Sequence, residues 1–305
     1  MSRKLTMTAR VRQYLSQRRA LGYKLYREGR QLLNFARYAD QSHHRGPLST
    51  ALALHWATLP QTSDPAYHAR RLNIVRVFAR HQARIEPATQ VPPRHVLGPD
   101  FRRKTPHLFT AAQLRQLLRR CSRLSGQLEP STYRTLLGLL VCTGLRISEA
   151  LALTVQDVDL IQGVVTVRFS KWEHSRQVPL HPSALSPLRR YARRRTASFP
   201  RAQTFFVSDR GQRLPYGAVH RVFAGLSGDM VPTTGRRHVR LHDLRHTFAC
   251  QVLLRWQRTR RGVAGRVVVL SRYLGHVQVR DTYWYLTAVP ELLKQATARF
   301  GPLPP

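Results

Sequence analysis

Four short segments of the chain concentrate side chains that could act on a charged substrate. The first runs from Thr143 to Leu151 and places Arg146 after Gly144 and three positions before Glu149. Gly144 is expected to end one helix, and Arg146 stands at the start of the next. Glu149 then lies one turn on, where its carboxylate can hold a partly buried guanidinium. The segment predicts an arginine that is fixed in place.

Two further segments add a lysine and a histidine–arginine pair. Lys171 follows Phe169 and Ser170, at the expected tip of a β-hairpin. His242 and Arg245 are three positions apart, so on a helix they share one face. A lone lysine or arginine in this basic chain is usually a solvated residue or a phosphate contact, and a lone histidine is usually structural. Each segment by itself is therefore weak evidence of catalysis.

The fourth segment supplies a second histidine and two tyrosines. His276 follows Leu274-Gly275, and Tyr283 and Tyr285 come after it. The informative feature is the order of residue types along the chain, which is Arg, Lys, His-x-x-Arg, Gly-His and Tyr.

That order resembles the tyrosine recombinase (phage integrase) family, and the resemblance covers nearly the whole chain. Thr-Gly-Leu-Arg-Ile-Ser-Glu-Ala-Leu is a typical setting for the first arginine, and the ending Tyr-Leu-Thr-Ala-Val-Pro-Glu-Leu-Leu looks most like transposon-encoded members. Tyr285 lies nine positions after His276, the usual family spacing, so Tyr283 is expected to serve packing or positioning. Carried over by match, the expected catalytic residues are Arg146, Lys171, His242, Arg245, His276 and Tyr285.

The resemblance implies DNA cutting and rejoining that needs neither metal nor ATP. Two arginines can bind the non-bridging oxygens of a five-coordinate phosphate, and no cofactor is expected. A phenol with a pKa of about 10 is a poor nucleophile at neutral pH. Arg146, Arg245 and one histidine are expected to favour the phenolate, with His242 as the base. Lys171 is expected to protonate the departing 5′ oxygen and His276 to hydrogen-bond the phosphate, which leaves a 3′-phosphotyrosine.

The charge of the chain points to a polyanionic partner. Its 305 residues include 51 Lys+Arg against 15 Asp+Glu, for a formal net charge of +36. Genome composition can favour arginine over lysine, but it does not explain the scarcity of acids. Double-stranded DNA is the expected partner, because neutralising its phosphates releases counterions. Widely spaced cysteines and no apolar run of about 20 residues favour a cytoplasmic protein without a membrane span. For a DNA recombinase, a bacterial, nucleoid-associated location is expected.

The pattern predicts a mainly α fold with a small antiparallel β-sheet, divided between two domains. Residues 1–88 are expected to form a helical (SAM-like) core-DNA-binding domain, with helix breaks near Gly22 and at Gln41 to Gly46. The proline-rich stretch 89–106 is expected to be a linker, and residues 107–305 the tyrosine recombinase catalytic domain. The predicted DNA contacts of the first domain are Arg70, Arg71, Arg76 and Arg80.

Within the second domain, Thr110 and Gln113 form a capping-box pair for a first helix. Val164 to Phe169 and Gln177 to Pro179 suggest two strands joined by a turn. The Arg/Gly-rich segment Arg255 to Arg266 is expected to be an exposed loop. The C-terminal stretch Pro290 to Phe300 is expected to be a helix that docks on a neighbour, as in family members, or on its own domain.

Three alternatives remain open at this point. A type IB topoisomerase would use the same cleavage step, and strand exchange between two duplexes distinguishes it from a recombinase. The chain could also be a DNA-binding protein with an unused site. A zinc site at His242 and His246 is disfavoured, because it lacks the metalloprotease glutamate and a third ligand nearby. For a recombinase, we expect monomers in solution that assemble as a homo-tetramer on DNA, with an accessory recombinase as a further possible partner.

Overall fold

The computed structural model describes residues 5–61, 63–100, 105–168, 175–230, 239–258 and 264–287. Backbone proximity divides the chain into two compact units, Met1–Lys104 and Thr105–Pro305. The division falls near the end of the proline-rich stretch 89–106. Over the described ranges, no helix combines the length and the apolar character that crossing a membrane requires.

The described part of the first unit is helical. Side-chain caps start three of its helices: Thr6 Oγ1 accepts from the Ala9 amide at 3.2 Å, Ser49 Oγ from the Leu52 amide at 3.2 Å, and Asp64 Oδ1 from the Ala66 amide at 3.0 Å. Gly22, with a φ of 85°, follows the end of the first helix, where the sequence predicts a break. The helices are α1 Met7–Ala20, α2 Tyr26–Gln41, α3 Thr50–Thr58 and α4 Pro65–Gln82.

The apolar faces of these helices meet in one core. Phe35 and Trp56 pack edge to face with ring centroids 5.4 Å apart. Arg71 belongs to this core: its guanidinium carbon lies 3.7 Å from the centroid of the Trp56 ring, and its Nη2 donates to the Trp56 carbonyl oxygen at 2.7 Å. Arg71 therefore holds α4 against α3, a structural role in place of the DNA contact expected from the sequence.

The second unit combines helices with a three-stranded antiparallel sheet of order β1-β2-β3. Thr110 and Gln113 form the predicted capping box at its first helix. In the sheet, Val165 pairs with Val178 and Val167 with Arg176, so β2 and β3 form the predicted hairpin. The elements are α5 Ala111–Arg120, α6 Glu129–Thr143, α7 Ile147–Ala152, β1 Val158–Asp159, β2 Val164–Val167, β3 Arg176–Pro179, α8 Pro182–Ser198, α9 Tyr216–Ser227, α10 Leu241–Arg258, α11 Ala264–Leu274 and α12 Arg280–Thr287.

The expectation of a loop from Arg255 to Arg266 is wrong at both ends. Helix α10 continues to Arg258, and α11 begins at Ala264; residues 259–263 lie outside the described ranges. Arginine is a good helix former, so a segment poor in apolar residues can still extend a helix. The segment Pro290 to Phe300 also lies outside the described residues.

Helix α6 is central to the second unit and packs against α8 and α10. Its Leu136, Leu137 and Leu140 are buried in a core shared with the sheet and helices α5, α8 and α9. A second cluster joins α10, α11 and α12 through Leu253, Leu270 and other residues, and it includes Tyr285. Because α10 contacts α6 and α12, residues from distant parts of the chain meet near its beginning.

Candidate active site

Arg146 stands immediately before α7 and is held from two sides. Its Nη1 donates to Glu149 Oε1 at 2.8 Å, while Glu149 Oε2 accepts from the Arg146 backbone amide at 3.0 Å. The predicted hold by Glu149 is thus confirmed. From the other side, Nη2 donates to the Gly275 carbonyl oxygen at 2.9 Å. The Arg146 side chain remains 32% exposed, so part of its guanidinium is accessible to a ligand.

Arg245 is the more deeply buried of the two arginines, with 2% of its surface exposed. Its Nη1 donates to the Gly144 carbonyl oxygen at 2.8 Å and its Nη2 to the Leu274 carbonyl oxygen at 2.7 Å. Its Nε is buried and has no hydrogen-bond partner within the described part of the chain. Burial lowers the pKa of Arg245 to about 10, so the group stays charged at neutral pH.

Two glycine turns bring these carbonyls to the arginines. Gly144 has a φ of 64° and Gly275 a φ of 67°, a backbone region that side chains disfavour. A Cβ on Gly144 would lie 2.5 Å from Cδ1 of Phe248, and one on Gly275 would lie 2.7 Å from Nη1 of Arg176. Both turns therefore require glycine, for conformation and for space.

The first histidine, His242, lies at the start of α10, three positions before Arg245 as predicted. The residue as a whole is exposed. Partial desolvation among the surrounding side chains, followed by the charge of Arg245, lowers its pKa to about 4, so it is neutral at pH 7. A neutral imidazole can accept a proton, as the predicted base must.

The second histidine, His276, is fixed beside the tyrosine. Its Nδ1 lies 2.7 Å from Thr282 Oγ1, and its ring is stacked on that of Tyr285 with centroids 6.0 Å apart. Burial lowers its pKa to about 3, and the charges of Arg245 and Arg146 act in the same direction. His276 is therefore neutral as well.

Tyr285 lies on α12 and is 2% exposed, whereas Tyr283 is 49% exposed. Burial raises the pKa of the Tyr285 phenol; the charge of Arg245 and a side-chain hydrogen bond with it act in the opposite direction but do not outweigh burial. The charges of Arg245 and Arg146 thus favour the phenolate as expected, although the net shift of the Tyr285 pKa is upward. The two tyrosines nevertheless differ as the family spacing implies, because Tyr285 is the one beside Arg245 and His276.

The other predicted residues are placed as follows. Lys171 lies outside the described residues, within the gap 169–174 between β2 and β3. Arg70, Arg76 and Arg80 are on α4 of the first unit, where Arg70 and Arg80 are exposed and Arg76 is half-buried.

Sequence reasoning missed a histidine at the centre of the site. His246, considered only as a zinc ligand, is buried with its ring centroid 4.6 Å from that of His242 and 5.3 Å from that of Tyr285. Its pKa is lowered to about 3, mainly by burial. Its position one helical turn after His242 was the available signal. Within the described ranges, no group of three or more His, Cys, Asp or Glu side chains could hold a metal ion.

Sequence reasoning also missed two residues that contact the partners of the site, Arg176 beside Glu149 and Thr282 beside His276. Arg176, the first residue of β3, donates to both Glu149 carboxylate oxygens. Thr282 is fully buried where it meets His276. The contact of Arg176 with Glu149 has no signal in local spacing, because the two residues come from β3 and α7.

Comparison with known proteins shows the family of the chain. The profile described as the phage integrase family matches residues 107–291, more than half of the chain and the whole of the site. The chain belongs to this family. It is a tyrosine recombinase, an enzyme of site-specific DNA recombination.

Relatives of the recombinase span nearly its full length. The candidate integrase/recombinase y4rB of Sinorhizobium fredii is 40% identical over 306 residues, covering 96% of each chain. The Tn1549 transposon integrase, solved in complex with transposon right end DNA, has a TM-score of 0.67 at 18% identity and covers 97% of this chain and 99% of that one. The lambda integrase tetramer bound to a Holliday junction has a TM-score of 0.66 at 16% identity and covers 93% and 78%. Both structures share the fold.

Proposed function

We propose that the recombinase cuts one DNA strand by attack of Tyr285 on a phosphodiester, and that Arg146 and Arg245 bind the non-bridging oxygens. The observation that carries the proposal is the meeting of both guanidiniums with Tyr285 and His276 at two glycine turns. Charged donors that are fixed before the reaction stabilise the five-coordinate phosphate without reorganisation. The exposed part of Arg146 is where the phosphate enters.

The chemical step balances without a cofactor. The phenol oxygen of Tyr285 forms a bond to phosphorus and the bond from phosphorus to the 5′ oxygen breaks, leaving a 3′-phosphotyrosine and a free 5′ hydroxyl. The phenol proton goes to His242, and Lys171 supplies the proton that the 5′ oxygen takes. His276 donates a hydrogen bond to the phosphate. The reverse step with a 5′ hydroxyl from another duplex completes strand exchange.

A bound scissile phosphate changes the pKa values of the two histidines. A phosphate is an anion, and an adjacent anion raises the pKa of a histidine. The bound phosphate therefore raises the lowered pKa values of His242 and His276 towards 7. A general base works best when its pKa lies near the working pH. Tyr285 must also leave its buried position, which requires α12 to move.

For the first unit, we propose phosphate contacts from Arg70, Arg76 and Arg80. Arg76 is partly buried, and its pKa is lowered by that burial and by the charges of Arg80 and Arg94. Like charges held this close favour an anion between them. The unit then serves as the core-DNA-binding domain, joined by the proline-rich stretch to the catalytic domain. In a bacterial cell, such contacts would keep the protein with the nucleoid.

We further propose that four copies assemble on two duplexes, alone or with an accessory recombinase. Exchange of two duplexes breaks four strands, and each break uses one Tyr285. The lambda integrase structure is itself a tetramer on a Holliday junction. The likeness to the Tn1549 transposon integrase favours a mobile element as the source of the DNA sites.

Covalent trapping tests the nucleophile. Nicked suicide duplexes from the DNA that flanks the gene are incubated with wild type, Tyr285→Phe and Tyr283→Phe, and SDS-stable protein–DNA complexes are counted. We expect a band with wild type and Tyr283→Phe and none with Tyr285→Phe. A band lost only in Tyr283→Phe would contradict the assignment. On a cleaved site, recombinant duplexes indicate recombination, while relaxation of supercoils without exchange indicates a topoisomerase.

A further inference from the structure

Arg176, the first residue of β3, reaches across the site behind Arg146. Its Nη1 and Nη2 donate to the two carboxylate oxygens of Glu149 at 3.2 and 2.8 Å, and its Nε donates to the Tyr273 carbonyl oxygen at 2.9 Å. The Arg176 side chain is 14% exposed, so little of it is available to bind DNA. Its guanidinium is committed to these contacts.

Glu149 is the shared partner of the two arginines. Burial alone raises its pKa, but the hydrogen bonds and charge of Arg176, followed by the hydrogen bonds of Arg146, bring the pKa below its ordinary value. A buried ion pair is costly to form and contributes little net stability. A carboxylate that accepts hydrogen bonds on both oxygens is, however, held in a single orientation.

We propose that Arg176 is a positioning residue that aligns Arg146 with the scissile phosphate. It acts along two routes. Through Glu149, it fixes the carboxylate that binds Arg146 Nη1. Through the turn at Gly275, it fills the space beside the residue whose carbonyl binds Arg146 Nη2. The inference rests on the proposed role of Arg146 in binding the phosphate.

The test compares two substrates that differ at one oxygen. The first suicide duplex carries the natural phosphodiester at the scissile position. The second carries a methylphosphonate at that position, in which a methyl group replaces one non-bridging oxygen and removes the negative charge. Strand cleavage is measured at saturating DNA in a single turnover. A misplacement near the reacting atoms can cost on the order of 10²-fold in rate, and we expect Arg176→Ala to lose about that much on the phosphodiester. The methylphosphonate needs less charge neutralisation. On this substrate, the ratio of the wild-type cleavage rate to that of Arg176→Ala should therefore be smaller than on the phosphodiester by about tenfold or more.

Two further variants separate positioning from folding. Arg120→Ala is the matched control: Arg120 donates to Asp229 Oδ2 at 2.7 Å and to the Leu226 carbonyl oxygen at 2.8 Å, so its removal also deletes an ion pair and a carbonyl contact. We expect it to cleave both substrates as wild type does. Arg176→Lys keeps the positive charge but loses the guanidinium that hydrogen-bonds to both Glu149 and Tyr273. We expect its cleavage rate on the phosphodiester to lie between the rates of Arg176→Ala and the wild type. Thermal melting and DNA affinity are measured for all variants.

The outcomes are distinct. Cleavage of the phosphodiester by Arg176→Ala within about twofold of wild type overturns the proposal. An equal loss on both substrates also overturns it, because the defect then does not pass through charge neutralisation by Arg146. If Arg176→Ala does not fold, the same two criteria apply to Arg176→Lys. Absence of cleavage by the wild type on a proven site instead refutes the proposed function.

Discussion

Arg146 donates from Nη2 to the carbonyl oxygen of Gly275 at 2.9 Å, a contact between residues 129 positions apart in the chain. Gly275 directly precedes His276, and the space beside its Cα is occupied by the Arg176 guanidinium. One glycine therefore helps to place both an arginine and a histidine that we propose to act on the same phosphate. Damage at this turn should affect both groups together.

Gly275→Ala tests this turn. Alanine in a left-handed conformation costs about 1–2 kcal/mol, and its Cβ would lie 2.7 Å from Nη1 of Arg176, which is held by Glu149. We expect the free energy of unfolding to fall by about 2 kcal/mol and cleavage to slow about tenfold or more. Urea denaturation and single-turnover cleavage measure the two effects.

Gly225→Ala is the control for that substitution. Gly225 lies inside α9, and a Cβ there would meet nothing within 4 Å. Alanine is favoured over glycine in helices by about 0.5–1 kcal/mol, so this variant should be slightly more stable and fully active. A Gly275→Ala protein as stable and active as wild type would contradict the role of the turn.

The neighbours Arg70 and Arg71 should behave in opposite ways. Arg71 is buried, bonded to the Trp56 carbonyl oxygen and placed over the Trp56 ring. A charge-assisted hydrogen bond and a desolvated cation–π contact each contribute about 2 kcal/mol. Alanine avoids the cost of burying the guanidinium, so Arg71→Ala should lower the free energy of unfolding of the first unit by somewhat less than their sum, about 3 kcal/mol.

Arg70→Ala should leave stability unchanged and weaken DNA binding, because Arg70 is exposed. Loss of one phosphate contact reduces the slope of log affinity against log salt by about 1. Binding titrations at several salt concentrations measure this slope. An unchanged slope in Arg70→Ala would remove Arg70 from the proposed DNA contacts.

His246 should make the second unit sensitive to acid. Its pKa is about 3 in the folded protein, while a histidine in an unfolded chain has a pKa of about 6.5. The unfolded state therefore takes up a proton below pH 6.5 that the folded state does not. The contribution of the neutral His246 ring to the free energy of unfolding is fully present above about pH 6.5. It decreases as the pH falls towards 3, by up to about 1.4 kcal/mol per pH unit.

Denaturation by urea at pH 7.5, 6 and 5 measures the effect. His246→Phe keeps an aromatic ring against Tyr285 but cannot titrate, so its stability should depend less on pH than that of wild type. His220→Phe changes an exposed histidine of α9 and should retain the wild-type dependence. Equal pH dependence in wild type and His246→Phe would count against this account.

Thr282 should matter for rate more than for DNA affinity. Its hydroxyl is fully buried and lies 2.7 Å from Nδ1 of His276. Thr282→Val keeps the shape but leaves that nitrogen without its partner, so we expect cleavage to slow about tenfold with affinity unchanged. Thr282→Ser retains the hydroxyl and should cleave close to the wild-type rate. A Val variant as fast as the Ser variant would exclude a role for the hydroxyl.

Local spacing was sufficient to predict several parts of the molecule. The capping box of Thr110 and Gln113 and the hold of Glu149 on Arg146 each depend on residues three positions apart, where helix geometry fixes the contact. The β2–β3 hairpin followed from alternating apolar residues. The order of catalytic residue types gave the family, and the family gave the fold.

Contacts between distant elements could not be predicted in this way. Arg71 reads as one more basic residue on a helix, and only the position of Trp56 shows that it is buried. Arg176 meets Glu149 because β3 and α7 are adjacent in the fold. The burial of Tyr285 likewise depends on the packing of α12 against α10, so spacing could identify the residue but not its accessibility.

The anchoring of the arginines has a consequence for how such enzymes diverge. Arg245 and one side of Arg146 are held by the carbonyl oxygens of Gly144, Leu274 and Gly275. Every amino acid supplies a carbonyl oxygen, so mutation of surrounding side chains does not remove these acceptors. Selection at the two turns needs to preserve little more than the glycines. Outside these glycines, the two arginines and the Glu149–Arg176 pair, the sequence can then change while both guanidiniums stay in place.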